Sequence, residues 1–81
     1  MFYAHRKTGH IYKSLHMFAT VEATGDQVAV YENAETGSVY IRPMNEFLDA
    51  RRFWPLEAKG LKTAKKEWER TVKELDEPLN V

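Results

Sequence analysis

The 81-residue chain contains no cysteine. That absence excludes a disulfide framework, a thiolate nucleophile, an iron–sulfur cluster and any cysteine-bearing zinc site, and makes the cytoplasm the expected compartment. Long apolar runs are missing as well. The opening MFYAHRKTGH turns polar before an apolar signal core forms, and no stretch approaches the roughly 20 apolar residues that cross a bilayer, so neither export nor a membrane partner is expected. Neither sign of charge is in excess, because 12 Lys and Arg balance 12 Asp and Glu. A neutral chain exerts no long-range pull on nucleic acid or anionic lipid, so only a local patch could attract either.

What is present reads as one domain, 1–81, with a β-rich region at 1–54 and a helical segment at 55–78. A domain of this size buries only about 60% of the surface its unfolded chain exposes, so self-association would stabilise it and a homo-oligomer is left open. The β-rich region is punctuated by glycine turns: RKTG at Gly9, ATGD at Gly25 and AETG at Gly37. Gln27 to Asn33 and Val39 to Arg42 are rich in Val, Ile and Tyr. With Glu35, Thr36 and a left-handed Gly37 between them, they form a hairpin.

His10 to Ala23 carries apolar residues on both parities, Ile11, Leu15, Met17 and Val21 on one and Tyr12 and Phe18 on the other. A long strand that bends across two sheets of a barrel would account for this. Pro43 ends the fourth strand, and MNEFLD reads as one helical turn that returns Met44, Phe47 and Leu48 to the core. The sequence after Pro55 frees the chain to become helical, and Leu61, Ala64, Trp68, Val72 and Leu75 form one apolar stripe from about Leu61 to Asp76, stopped by Pro78. The expected fold is mainly β with one C-terminal α-helix, either a small SH3-like, partly closed barrel or a bent antiparallel sheet.

YAHRKTGHIY at Tyr3 to Tyr12, VAVYEN at Val28 to Asn33 and VYIRPMNEF at Val39 to Phe47 resemble the prokaryotic and phage domain-of-unknown-function family numbered sixteen fifty-three. The pattern there is Tyr-x-His-x-x-Gly followed by Tyr, then Val-Val-Tyr, then Trp-Val-Arg-Pro with a Phe soon after. This chain adds a residue before Gly9, has Tyr40 in place of the tryptophan and lacks the His-Ser-Glu-Thr stretch after Phe18. The likeness spans residues 1–54 and implies a compact β-rich fold and a prokaryotic or phage source, with no activity attached.

His5, His10 and His16 are the only imidazoles. Their spacing gives no i, i+2 or i, i+4 pair and no carboxylate in step, so no metal site is expected, and His5 reads as a hydrogen-bonded structural residue near the first turn. Glu32, Glu35, Glu46 and Asp49 form no acid–base motif, and Ser14 and Ser38 sit in no nucleophile elbow. A non-enzymatic protein without a cofactor follows.

The two-residue strand period puts Tyr40 and Arg42 on one face of the hairpin and Val39 and Ile41 on the other, the latter expected to face the core. An aromatic beside a guanidinium suits a nucleobase with its phosphate; it equally suits an arginine paired with a nearby carboxylate and a tyrosine under the helix. The helix start is basic, with Lys59, Lys62, Lys65 and Lys66, against the bias of the macrodipole, and Arg51 and Arg52 lie just upstream. The candidate ligand-binding set is therefore Tyr3, His5, Tyr31, Tyr40, Arg42, Arg51, Arg52, Lys62, Lys65 and Lys66. Its target would be a nucleotide or nucleic acid, received where Tyr40 and Arg42 approach the helix start. The rival reading is a protein–protein inhibitor or adaptor, such as a phage protein acting on a host protein, that uses the hairpin edge or the helix with Trp68 as anchor.

Overall fold

The computed structural model describes residues 1–75, so the expected helix end at Asp76 and Pro78 lies outside the described residues. In chain order the elements are β1 (Phe2–His5), β2 (Ile11–Thr20), β3 (Gln27–Asn33), β4 (Val39–Pro43), α1 (Met44–Phe47), β5 (Phe53–Leu56) and α2 (Leu61–Leu75). The strands form one five-stranded antiparallel sheet ordered β4-β3-β2-β1-β5. The fold is mainly β with a C-terminal helix, as the sequence indicates. Of the two expected forms it is the open sheet, since β4 and β5 remain edges and no barrel closes.

The meander is made by one turn used repeatedly. After His5, Val21 and Asn33 the chain runs three residues and then reaches Gly9, Gly25 or Gly37, each with φ of 78–79°. In each case the glycine N–H donates to the carbonyl at the start of the turn at 2.7–2.8 Å, and that first residue's N–H donates to the carbonyl just after the glycine at 2.8–2.9 Å. This is a four-residue loop whose last residue is a glycine bulge, where Glu35 to Gly37 alone were expected to make the third turn, and only glycine takes that left-handed position without a Cβ penalty. A threonine precedes every one of these glycines. Thr8, Thr24 and Thr36 each accept, through Oγ1, the N–H two residues on at 3.3 Å. The Asn33 Oδ1 adds two further acceptances, from the N–H groups of Glu35 and Thr36 at 2.8 and 3.1 Å.

Both faces of the sheet are covered, by different elements. On one face Phe2, Ala4, Ile11 and Leu56 meet Ala64 and Trp68 of α2, with Leu61 and Val72 packed around them. The three-and-four spacing of the α2 stripe aims these side chains at β1, β2 and β5. The Glu67 carboxylate fastens the incoming loop by accepting the N–H groups of Glu57 and Ala58 at 2.9 and 2.8 Å. On the other face Tyr3, Ala29, Tyr31 and Phe53 meet Met44 and Phe47 of α1. Phe47, Phe53, Ile11 and Leu56 are the largest fully buried side chains, each contributing about 1.5–3 kcal/mol of transfer free energy.

Three expectations need correction. Val39 and Ile41 do not face the core: they are 56% and 66% exposed, because α2 packs across β1, β2 and β5 and meets the β3–β4 hairpin only at its turn, leaving β4 uncovered on that face. Leu48 does not return to the core and is 55% exposed, since the turn of α1 ends at Phe47. The parity change in β2 comes from register shifts between Ser14 and His16 and between His16 and Ala19, not from a bend across two sheets of a barrel. Phe18, inside the second shift, has φ of 59° and its N–H points to the Met44 Sδ at 3.4 Å. In addition, β5 extends the β-rich region past its expected end at residue 54, as far as Leu56.

Candidate functional site

The face covered by α1 holds most of the chemistry. Strand alternation delivers Tyr3 and His5 from β1, Tyr12 from β2, Tyr31 from β3, Tyr40 and Arg42 from β4 and Phe53 from β5 to the same side of the sheet. Tyr31 lies opposite Tyr40 in register, and Tyr3 lies between Tyr12 and Pro55. The rings form a connected, mostly edge-to-face array. Tyr12 is 5.4 Å from Tyr31 and 6.2 Å from Tyr40, Tyr31 is 4.8 Å from Phe47, and Phe47 is 4.7 Å from both Tyr3 and Phe53. Tyr3 and Tyr31 are buried within it, while Tyr12 is half-buried and Tyr40 is 46% exposed.

Arg42 sits at the centre. Its Nε donates to the Tyr31 hydroxyl at 3.2 Å, its Nη1 donates to the Glu46 Oε1 at 3.1 Å, and its guanidinium carbon lies 5.3 Å from the centre of the Phe53 ring. Among the described residues its Nη2 has no hydrogen-bond partner. The hydrogen bonds from Arg42 to Tyr31 and to Glu46 raise the guanidinium further above its ordinary value. The same Glu46 oxygen accepts from Arg52 Nη1 at 2.9 Å, so one carboxylate is shared between two cations. Arg51 turns away to a bidentate pair with Asp49, both contacts at 3.1 Å, which lowers the carboxyl of Asp49.

His5 completes the rim. Its Nδ1 is 3.1 Å from the Thr8 Oγ1, and its ring stands edge-on to Phe53 at 5.1 Å. Burial lowers its pKa below the usual imidazole value, and the positive fields of Arg42, His10, Lys7 and Arg52 lower it further. Tyr12 is shifted the other way, upward, by burial and by its tyrosine neighbours Tyr31 and Tyr40.

No family model, curated protein or solved structure matches this chain. What the face can do is set by its own side chains.

Of the sequence-predicted set, Tyr3, His5, Tyr31, Tyr40, Arg42 and Arg52 come together on this face. Tyr3 and Tyr31 serve as its buried support, not as contact surface. Lys62, Lys65 and Lys66 do not join them, because α2 packs on the opposite side of the sheet. Lys65 instead pairs with Glu35 of the β3–β4 turn at 3.1 Å. The meeting of Tyr40 and Arg42 with the basic helix start is therefore not formed. Of the alternative for that pair, one half holds: Arg42 is paired with a carboxylate, but Tyr40 lies on the face away from α2. The residues missed are Tyr12, Phe53 and Glu46. The adjacent Ile11 and Tyr12 were the available signal for Tyr12, since neighbours on a strand point to opposite faces.

Proposed function

We propose that the protein is a binding domain without turnover, and that its ligand is a phosphate-bearing molecule with an aromatic base, a nucleotide or a short single-stranded nucleic acid. The observation that carries this reading is the exposed Tyr40 ring, edge-on to the half-buried Tyr12, beside an arginine held in place by Tyr31 and Glu46. Rings at an accessible surface supply stacking worth about 1–3 kcal/mol per base, and a guanidinium already fixed by its neighbours loses less freedom on meeting a phosphate. Arg52 and the Lys7–His10 turn add positive potential at the rim. The basic start of α2 has no role in this site. A prokaryotic or phage source, as the family resemblance implies, belongs to the same proposal.

The test is a titration of the isotope-labelled protein, followed by nuclear magnetic resonance, with mono-, di- and cyclic nucleotides and with short oligonucleotides. Shifts are expected at Tyr12, Tyr40, Arg42 and His5 and not at Lys62 or Lys66. Arg42→Lys is expected to weaken binding although the charge is kept, because an ammonium lacks the planar fork. No shift on that face at millimolar ligand and low salt overturns the reading. The rival, an inhibitor or adaptor of a host protein, draws on a separate observation, the exposure of Val39 and Ile41 on an edge strand. Shift changes confined to β4 on adding a host protein, with none from nucleotides, would favour it.

A further inference from the structure

The sheet ends in β4 on one side and β5 on the other, and these edges offer different things to another strand. Beside β5, the Arg6 N–H donates to the Arg52 carbonyl at 2.9 Å, which fixes the alternation along the β1–β5 ladder. Phe53 and Pro55 therefore turn their backbone groups outward. Pro55 has no N–H, and the Phe53 N–H is already used by the Asp49 carbonyl at 3.0 Å. That edge has no outward donor left in β5. Beside β4, the Asn33 N–H to Ser38 carbonyl bond at 2.9 Å fixes the alternation in the same way and turns Val39, Ile41 and Pro43 outward. Val39 and Ile41 offer both donor and acceptor there, and their side chains are among the most exposed large apolar groups of the described residues.

We propose that two copies of the chain pair through β4, antiparallel, about a two-fold axis at Ile41. In that register Ile41 exchanges both backbone bonds with Ile41 of the second copy, and each Val39 N–H reaches the Pro43 carbonyl opposite. The missing proline N–H leaves each Val39 carbonyl without a partner across the axis. On the outer face the two Ile41 side chains meet, each with Val30 behind it in register, making an apolar row across four strands. On the aromatic face Tyr40 stands opposite Arg42 of the second copy at a non-hydrogen-bonded position, where side chains approach closest.

No like charges oppose one another, so the edge is complementary to itself. Joining β4 to β5 of another copy would propagate instead of closing, and the donor-poor β5 edge disfavours it. The pairing rests on the chemistry of β4 alone and is independent of the ligand reading, although it would set two aromatic faces side by side with each Tyr40 beside the other copy's Arg42. A single strand pair buries less than the roughly 1,200 Å² of a standard interface, so the dimer is of the weak class.

Sedimentation equilibrium of the full chain from micromolar to millimolar concentration is expected to show reversible dimerisation. Ile41→Lys places a charge at an exposed edge position and is expected to weaken it at least about tenfold with no loss of melting temperature. Because that variant could also disturb the hairpin, a second measurement uses the absence of cysteine. Facing residues in this register lie about 5.5 Å apart at Cα, within disulfide range, so Ile41→Cys is expected to cross-link on mild oxidation far faster than Leu48→Cys, an exposed control on α1's flank. A monomer at millimolar concentration, or equal cross-linking of the two cysteine variants, overturns the proposal.

Discussion

α2 closes its face of the sheet with aliphatic carbon and one indole, and almost nothing polar reaches that core. Among the described residues, the Trp68 Nε1 is the only buried side-chain nitrogen or oxygen without a hydrogen-bond partner. The opposite face, covered by α1, is lined by the hydroxyl-bearing rings of Tyr3, Tyr12 and Tyr31, with an imidazole edge-on to Phe53 and a guanidinium over the same ring. One face spends its side chains on stability. The other keeps polar groups at its rim, held by bonds such as Arg42 to Tyr31 and Glu46, and is the side on which the proposed ligand would sit. A small sheet covered on both sides can thus carry an apolar cover on one face and a thinner, more polar one on the other.

The largest expected effect lies on the closed face. Trp68 is only 5% exposed, and Trp68→Ala should lower unfolding free energy by about 3–5 kcal/mol, measured by chemical denaturation. Tyr40→Ala, on the accessible face, should cost within about 0.5 kcal/mol. Equal losses would erase the contrast between the faces. Next comes Arg42. Its side chain is 33% exposed, so the nominal value of its charge-assisted bonds is discounted, and Arg42→Ala should cost about 1–2 kcal/mol.

A smaller, pH-dependent effect sharpens the comparison further. His5 has a lowered pKa in the folded chain, so between that value and the ordinary imidazole value the unfolded chain binds more protons. Stability should therefore fall as the pH drops below the ordinary imidazole range, and His5→Gln should remove that slope in thermal melts. In the same window an oligonucleotide placing phosphate near His5 should bind more tightly, because the bound anion favours the imidazolium. Last, Lys65→Ala breaks an exposed ion pair with Glu35 and should change stability by no more than about 0.5 kcal/mol, with no effect on any ligand of the aromatic face.

Much of this division is legible in the sequence and some of it is not. The turns are readable because Thr-Gly carries its own geometry, and α2 is readable because its stripe repeats at helical spacing. β5 escapes notice because four residues containing Pro55 lack the length and donors of an ordinary strand signal. The faces of β4 come out the wrong way round for a clearer reason. Alternation shows that Val39 and Ile41 oppose Tyr40 and Arg42, but not which side the rest of the chain covers. Taking the aliphatic side as core follows the usual trend, yet here the cover over this hairpin is α1, and it meets the tyrosines. The helix lysines join the candidate site on nearness in sequence, and only the sheet lying between them and Arg42 separates the two.

The repeated Thr-Gly turn also bears on the order of events in folding. Each such turn ties residues only a few positions apart, so the β1–β2, β2–β3 and β3–β4 hairpins can form on the microsecond timescale with little loop entropy to overcome. Pairing β5 with β1 is another matter, because it joins Phe2 to Leu56 across the whole meander. The meander is then the early structure, and the docking of β5 and α2 the late one. In stopped-flow kinetics Gly37→Ala should act mainly on the folding limb, whereas Trp68→Ala should act mainly on the unfolding limb.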